Sequence, residues 1–278
     1  MLRTGLFFFV ITSLGAADLA VDHVSVAGAN LKGMRERLKA VGIPSEYGGP
    51  HANGATEMAV TSFPDGSYLE LIAIQVKPDA KALEEHYWSK QMRANAGPAA
   101  WAVRVADLSA EAARLKTAGI QVFPLSRSGR TRPDGRRLDW ETARVGPEPN
   151  GAFFPFLIRD FTPRADRAFP SGKPTTTEFT GIRRVVIAVR ELKASTARFR
   201  QAYGLAEPAE RDDPGLGARL AVFEGSPVIL ANGPSLNARI EQFGEAPCAF
   251  VLGSAKPGPK GITWLDAEKL GWRLGVER

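Results

Sequence analysis

The 278-residue sequence holds one cysteine and three histidines, and both scarcities narrow its chemistry. With Cys248 alone no intramolecular disulfide can form, and a cysteine-built zinc site is excluded. Cys248 stands at the head of the apolar run Ala249-Phe250-Val251-Leu252, where it reads as a buried small hydrophobe rather than a reactive thiol. There is no glycine-rich phosphate loop, nucleophile elbow or zincin helix, and no Ser, Cys or Lys has a recognisable base beside it. Beyond the first 14 residues no run is apolar enough to cross a bilayer. Basic residues outnumber acidic ones, 36 to 30, but without a Lys/Arg run or a nucleic-acid motif, so no nucleic-acid partner is expected.

What is present is ordinary globular composition: 44% hydrophobic, 24% charged, and a length suited to one large domain or two smaller ones. The N-terminus has its own character. Arg3 precedes an apolar stretch from Gly5 to Leu14, and the small residues Gly15-Ala16-Ala17 follow. This is the order of a cleavable signal peptide over residues 1–17, which predicts a periplasmic or secreted protein with no stable membrane anchor.

The rest of the chain repeats itself. Val26-Ala27-Gly28-Ala29-Asn30-Leu31 leads to Arg37-Leu38-Lys39-Ala40-Val41-Gly42-Ile43, and 77 positions later Val103-Arg104-Val105-Ala106-Asp107-Leu108 leads to Arg114-Leu115-Lys116-Thr117-Ala118-Gly119-Ile120. A looser third copy runs from Ile187-Ala188-Val189-Arg190-Glu191-Leu192 to Phe199 and Gly204. Each copy begins with an alternating strand, turns at Asn30, Asp107 or Glu191 into an amphipathic helix, and ends that helix at Gly42, Gly119 or Gly204. Strand-like runs follow, at 43–47, 56–61 and 68–74 in the first copy and at 121–125, 137–144 and 153–158 in the second. The expected fold class is α+β, with paired β-α-β-β-β modules forming a cupped mixed sheet and helices on its outer face. Two modules cover 18–162, a linker 163–180, and a second, degenerate pair 181–278. A short helix is expected near 82–91.

In Asp22-His23-Val24-Ser25-Val26, alternation puts Val24 and Val26 under the helix and His23 on the opposite, concave face. In Tyr68-Leu69-Glu70-Leu71-Ile72 the same logic puts Glu70 there, with Tyr68 and Ile72. A carboxylate inside an apolar strand needs a partner. His23 is the candidate, through a shared metal ion or directly as a hydrogen-bonded pair.

These two stretches, with Gly48-Gly49-Pro50-His51, Trp101-Ala102-Val103-Arg104 and Arg130-Thr131-Arg132-Pro133-Asp134-Gly135, resemble the vicinal oxygen chelate superfamily, and its glyoxalase-like branch in particular. The resemblance implies a metal held by a His and a Glu from each module, binding substrate through two adjacent oxygens. This chain departs from that pattern. Repeat alignment puts Ala100 and Arg184 where His23 stands, and Phe156 and Ile229 where Glu70 stands. Only one half-site is left, and His51 is the candidate third ligand for a divalent metal. His86 is read as a helix-surface residue rather than a ligand. Arg127, Arg130, Arg132, Arg136 and Arg137 flank a turn; they form a solvated hairpin, or else Arg130 or Arg132 reaches the pocket and binds a substrate carboxylate. Trp101 and Trp140 are candidate apolar walls, alternatively core. The expected function is a small-molecule enzyme of lyase, isomerase or dioxygenase type, with Glu70 and His23 catalytic and Arg130, Arg132, Trp101 and Tyr68 binding substrate. The alternative is a non-catalytic exported protein that binds a small molecule in the same cup.

Overall fold

In the computed structural model, which describes residues 19–258 and 260–278, the repeats fold as two curled mixed sheets. The expected leader, residues 1–17, lies outside the described residues. The first module is β1 (Val21–Gly28), α1 (Leu31–Ala40), β2 (Glu46–Pro50), β3 (Thr56–Ser62) and β4 (Tyr68–Ile74). Two short helices, α2 (Ala80–Glu84) and α3 (Ser89–Arg93), replace the single helix expected near 82–91. The second module is β5 (Gly97–Arg104), α4 (Leu108–Thr117), β6 (Ser126–Thr131), β7 (Arg137–Ala143) and β8 (Phe156–Asp160). Its strands join the first module's in one eight-stranded sheet of order β2-β3-β4-β1-β5-β8-β7-β6.

The local grammar holds at the helix ends. Asn30 and Asp107 accept the backbone N–H of Gly33 and Ala110 at 2.8 and 2.9 Å, and so satisfy donors that the first helical turn leaves unpaired. Leu31, Met34 and Leu38 of α1 are spaced to one face and pack with Val24, Val26, Leu69 and Leu71 on the convex side of the sheet. That burial turns His23 and Glu70 to the concave side. The edge strand β6 lies at 126–131 instead of 121–125, where only Val122 makes an isolated bridge, to Val145. Its alternate residues Ser126, Ser128 and Arg130 face the concavity, so the strand carries no apolar stripe to betray it.

After α5 (Arg164–Ala168), the second sheet begins with β9 (Phe179–Ala188), α6 (Leu192–Tyr203), β10 (Ala209–Asp213), β11 (Ala218–Val222) and β12 (Val228–Asn232). A 3-10 turn and α7 (Asn237–Phe243) lead to β13 (Ala246–Ser254), β14 (Ile262–Trp264), α8 (Ala267–Leu270) and β15 (Arg273–Glu277), giving the order β10-β11-β12-β9-β13-β15-β14. The concavity of this sheet is filled. Leu216, Leu236, Ile240 and Trp264 pack with Val186, Leu220 and Ile229 of its inner face. The convex faces of both sheets share one core, in which Trp101, Phe153 and Phe154 of the first half meet Val185, Phe199, Tyr203 and Phe250 of the second. The Phe199 ring lies 5.0 and 5.1 Å from those of Phe153 and Phe154.

Candidate active site

The open concavity belongs to the first sheet, and its cavity is about 310 Å³. Parallel pairing of β1 with β4 sets Ser25 opposite Glu70 and His23 opposite Tyr68, so all four side chains share the inner face. Nε2 of His23 lies 3.8 Å from one Glu70 oxygen, and Nε2 of His51 lies 3.6 Å from the other. The Ser25 hydroxyl donates to Glu70 Oε2 at 2.7 Å. The equivalent position on the second module's floor is apolar. The ladder of β5 and β8 sets Ala102 opposite Phe156, so Phe156 stands where Glu70's counterpart belongs. Its ring meets the His23 ring edge-on at 5.4 Å.

Each imidazole is held by its other nitrogen. His51 Nδ1 is 2.8 Å from the Thr56 hydroxyl, and His23 Nδ1 is 2.6 Å from Asp22. Neighbours on a regular strand point to opposite faces, so the second contact needs an irregularity. The β1–β5 pairing supplies it: Val21 pairs with Val103 and His23 with Ala102, which leaves Asp22 bulged between them. Asp22 is fully buried and also takes Arg167 at 2.9 and 3.0 Å, as well as Arg164. Arg167 binds Asp160 at 2.5 and 2.8 Å and donates to the Tyr68 hydroxyl at 2.5 Å. The Tyr68 ring stacks on His23 with centroids 4.9 Å apart. Behind His23 therefore runs a chain of alternating charge, Asp160, Arg167 and Asp22.

The charge states follow from these contacts. Burial by itself would raise the Asp22 carboxyl, but Arg167, His23 and Arg164 outweigh it and hold Asp22 well below the carboxylate range. An ionised Asp22 accepts Nδ1–H of His23 and leaves Nε2 facing the cup. Burial likewise opposes ionisation of Glu70, yet His23, His51, the Ser25 hydroxyl and Arg130 keep its pKa low. Burial lowers His51 despite Glu70, so this ring is neutral at pH 7. Burial raises Tyr68, which stays a phenol.

The remaining expected residues divide. Arg130 lines the cup, buried, and donates to the Gly48 carbonyl at 2.5 Å. Arg132 does not reach it. Its guanidinium donates to the Asp166 and Pro170 carbonyls and pairs with Asp134 at 2.9 Å, fastening the hairpin to the α5 segment. Trp101 is not a wall of the cup; it is fully buried in the convex-face core, in phase with Val24, with which it pairs. The repeat carried that sign, since Ala100 and not Trp101 aligns with His23. Trp140 does line the cup. So does His86, read from sequence as a helix-surface residue: it lies between α2 and α3, accepts the Trp88 N–H at 3.1 Å, and faces inward with Trp88. Asp22, Arg164 and Arg167 are functional-site residues that the sequence reading misses. The two arginines lie in the stretch read as a linker, and only their spacing of three, on one face of a helical turn, hinted at a shared target.

The fit of a metal ion turns on three donors: two Nε2 atoms, each with its Nδ1 already fixed, and the Glu70 carboxylate. By type this is a two-His-one-carboxylate set, and the Asp22–His23 contact is the outer-shell bond such histidines make. By spacing it is unfinished, for among the described residues no three His, Cys, Asp or Glu side chains converge as a metal site.

Paired modules curled around one cup, with an imidazole and a carboxylate on the first and last strands of one module, define a member of the vicinal oxygen chelate superfamily. More narrowly, the chain belongs to the glyoxalase-like domain family, whose profile matches residues 21–203. A hypothetical protein from Staphylococcus aureus has the same fold, with 13% identity, a TM-score of 0.67 and coverage of 93% of this chain and 98% of that one. A fusion protein of a xylose isomerase-like TIM barrel with 4-hydroxyphenylpyruvate dioxygenase matches at 15% identity and TM-score 0.52, covering 88% of this chain and 37% of the fusion. A glyoxalase I mutant from Zea mays matches at 17% identity and TM-score 0.37, covering 79% of this chain and 70% of that one. No curated protein matches the sequence.

Proposed function

We propose that this protein is a small-molecule enzyme that moves a proton at Glu70 on a substrate with neighbouring oxygens, His23 acting as its partner. The observation that carries this reading is the convergence of His23 and His51 on the two oxygens of Glu70 inside one cup. Glu70, ionised and buried, is a base with few water competitors. Once it carries a second proton, His23 can donate Nε2–H to a substrate oxygen as negative charge builds there, and Asp22 stabilises that positive charge on the ring. The neutral His51 adds a second nitrogen on the other side of Glu70.

Solvent deuterium exchange into a panel of α-hydroxy and α-keto acids, esters and amides, followed by NMR, tests this reading. Glu70→Gln should slow exchange by about 100-fold or more. Exchange undiminished in that variant refutes it, and ligand binding without any turnover favours the exported binding protein instead.

A second reading is favoured by the anchored Nδ1 atoms of both imidazoles. In it, His23, His51 and Glu70 hold a divalent cation, which supplies polarisation of a substrate oxygen when bound. Elemental analysis of untagged protein, with His23→Ala and Glu70→Gln alongside, separates the readings. One equivalent of metal lost in both variants supports the second.

A further inference from the structure

Three arginines are buried among the described residues, and two of them are neutralised. Arg167 lies between Asp22 and Asp160, and Arg184 pairs with Glu277 at 3.4 Å and Glu224 at 3.7 Å. Arg130 is different. It is 3% exposed, it faces the cup, and no carboxylate of the described residues comes within ion-pair distance of it. Its one hydrogen-bond acceptor there is the Gly48 carbonyl, bound through Nη1. A guanidinium offers five donors in a planar fork, so most of this fork is unmatched. Glu70 attracts Arg130 only from beyond ion-pair distance, and a buried cation with no carboxylate in contact is costly.

Two neighbourhoods define what the anion is attached to. On β6, Ser126 and Ser128 point into the cup beside Arg130 and add hydroxyl donors. Across the floor, the half-site that lost its His and Glu is walled by Trp88, Trp140, Phe156 and Ile158. The cup thus has a cationic rim, an acid–base floor and an aromatic wall. At about 310 Å³ it suits a molecule of modest size.

We infer that the cup takes a small monocarboxylate with an aryl or branched-alkyl body, its carboxylate on Arg130 and its body against Trp140 and Phe156. This rests on reading the cup as the ligand site and names the class of ligand. The carboxylate forks onto the free guanidinium edge, and the carbon next to it is directed towards Glu70 and His23. Loss of the second half-site becomes a specificity device, since the strands that no longer carry ligands supply the surface for the apolar body.

Calorimetric titration of the full chain with mandelate, with its neutral amide mandelamide, and with lactate tests the assignment. Wild type should prefer mandelate to mandelamide, and mandelate to lactate, each by about tenfold or more, as expected for one charge-assisted fork and one buried ring. Arg130→Gln should cost mandelate about tenfold more than it costs mandelamide, while Arg130→Lys should recover part of the loss. Saturable mandelamide binding that is only a few-fold weaker shows that the cup survives in the variant. If Arg130→Gln fails to fold, the wild-type ratio of mandelate to mandelamide still decides. Equal affinity for acid and amide overturns the inference, as does full mandelate binding by Arg130→Gln, or no saturable mandelate binding up to about 10 mM. Deuterium exchange that depends on Glu70 but shows no preference for carboxylates would leave the proton-transfer reading standing and remove only this one.

Discussion

Asp22 is fully buried and meets three side chains that carry or can carry positive charge, His23, Arg164 and Arg167. It holds the His23 tautomer, a task no other residue shares, and it neutralises Arg167 together with Asp160. Asp22→Asn removes the charge while nearly keeping the shape, leaving Arg167 half-compensated in the interior. We expect a loss of about 3–5 kcal/mol in urea unfolding at pH 7, the range for breaking a buried ion pair from one side. The pH dependence has a definite sign. The folded pKa values of Asp22 and Glu70 lie below those of the unfolded chain, so their contributions are complete above about pH 4 and fade as pH falls further. Urea midpoints of the wild type should drop on acidification through that window, and the Asp22→Asn variant should drop less. An equally steep acid limb in the variant would show that Asp22 is not the group responsible.

Single elements carry their own marks of function and of economy. The three repeat helices begin alike, but the α6 N-cap, Glu191, makes no side-chain bond to the helix, whereas the α4 N-cap, Asp107, does. Asp107→Ala should destabilise by about 1 kcal/mol, and Glu191→Asp should stabilise by several tenths or more, both read from thermal midpoints. Opposite signs at equivalent positions are the result to look for; matching signs would mean that packing, not capping, governs these corners. Strand β6 and helix α5 show why parts of the site escaped a sequence reading. An edge strand facing a polar cup carries Ser-Arg-Ser-Gly-Arg-Thr, which has none of the alternation by which strands are recognised. Helix α5 spans five residues, and its register places Arg164 and Arg167 on Asp22, the latter from 145 positions away. His23, Glu70 and Tyr68 are legible because they are polar residues set among apolar strand positions; Trp101, which the sequence leaves as wall or core, is core because it pairs in phase with Val24.

The two sheets divide the work of the whole molecule unequally. One keeps an open cup, and the other fills its own cup with Leu216, Leu236, Ile240 and Trp264 while lending its convex face to a common core. Because Phe199, Tyr203 and Phe250 complete the packing around Trp101 and Phe153, neither half has a finished interior alone. We therefore expect a single cooperative unfolding transition in tryptophan fluorescence and circular dichroism, coincident in both. Two separated transitions would refute the shared core as the source of stability. Sequence by itself determined the β-α-β-β-β unit, its repetition, and the face on which His23 and Glu70 stand, because alternation and helix-end chemistry are local. Tertiary structure alone decided which rim arginine enters the cup, that Asp22 bulges to meet His23, and that the presumed linker delivers Arg167. Those are outcomes of how the sheet curls and where distant charges are buried together, and no local pattern encodes them.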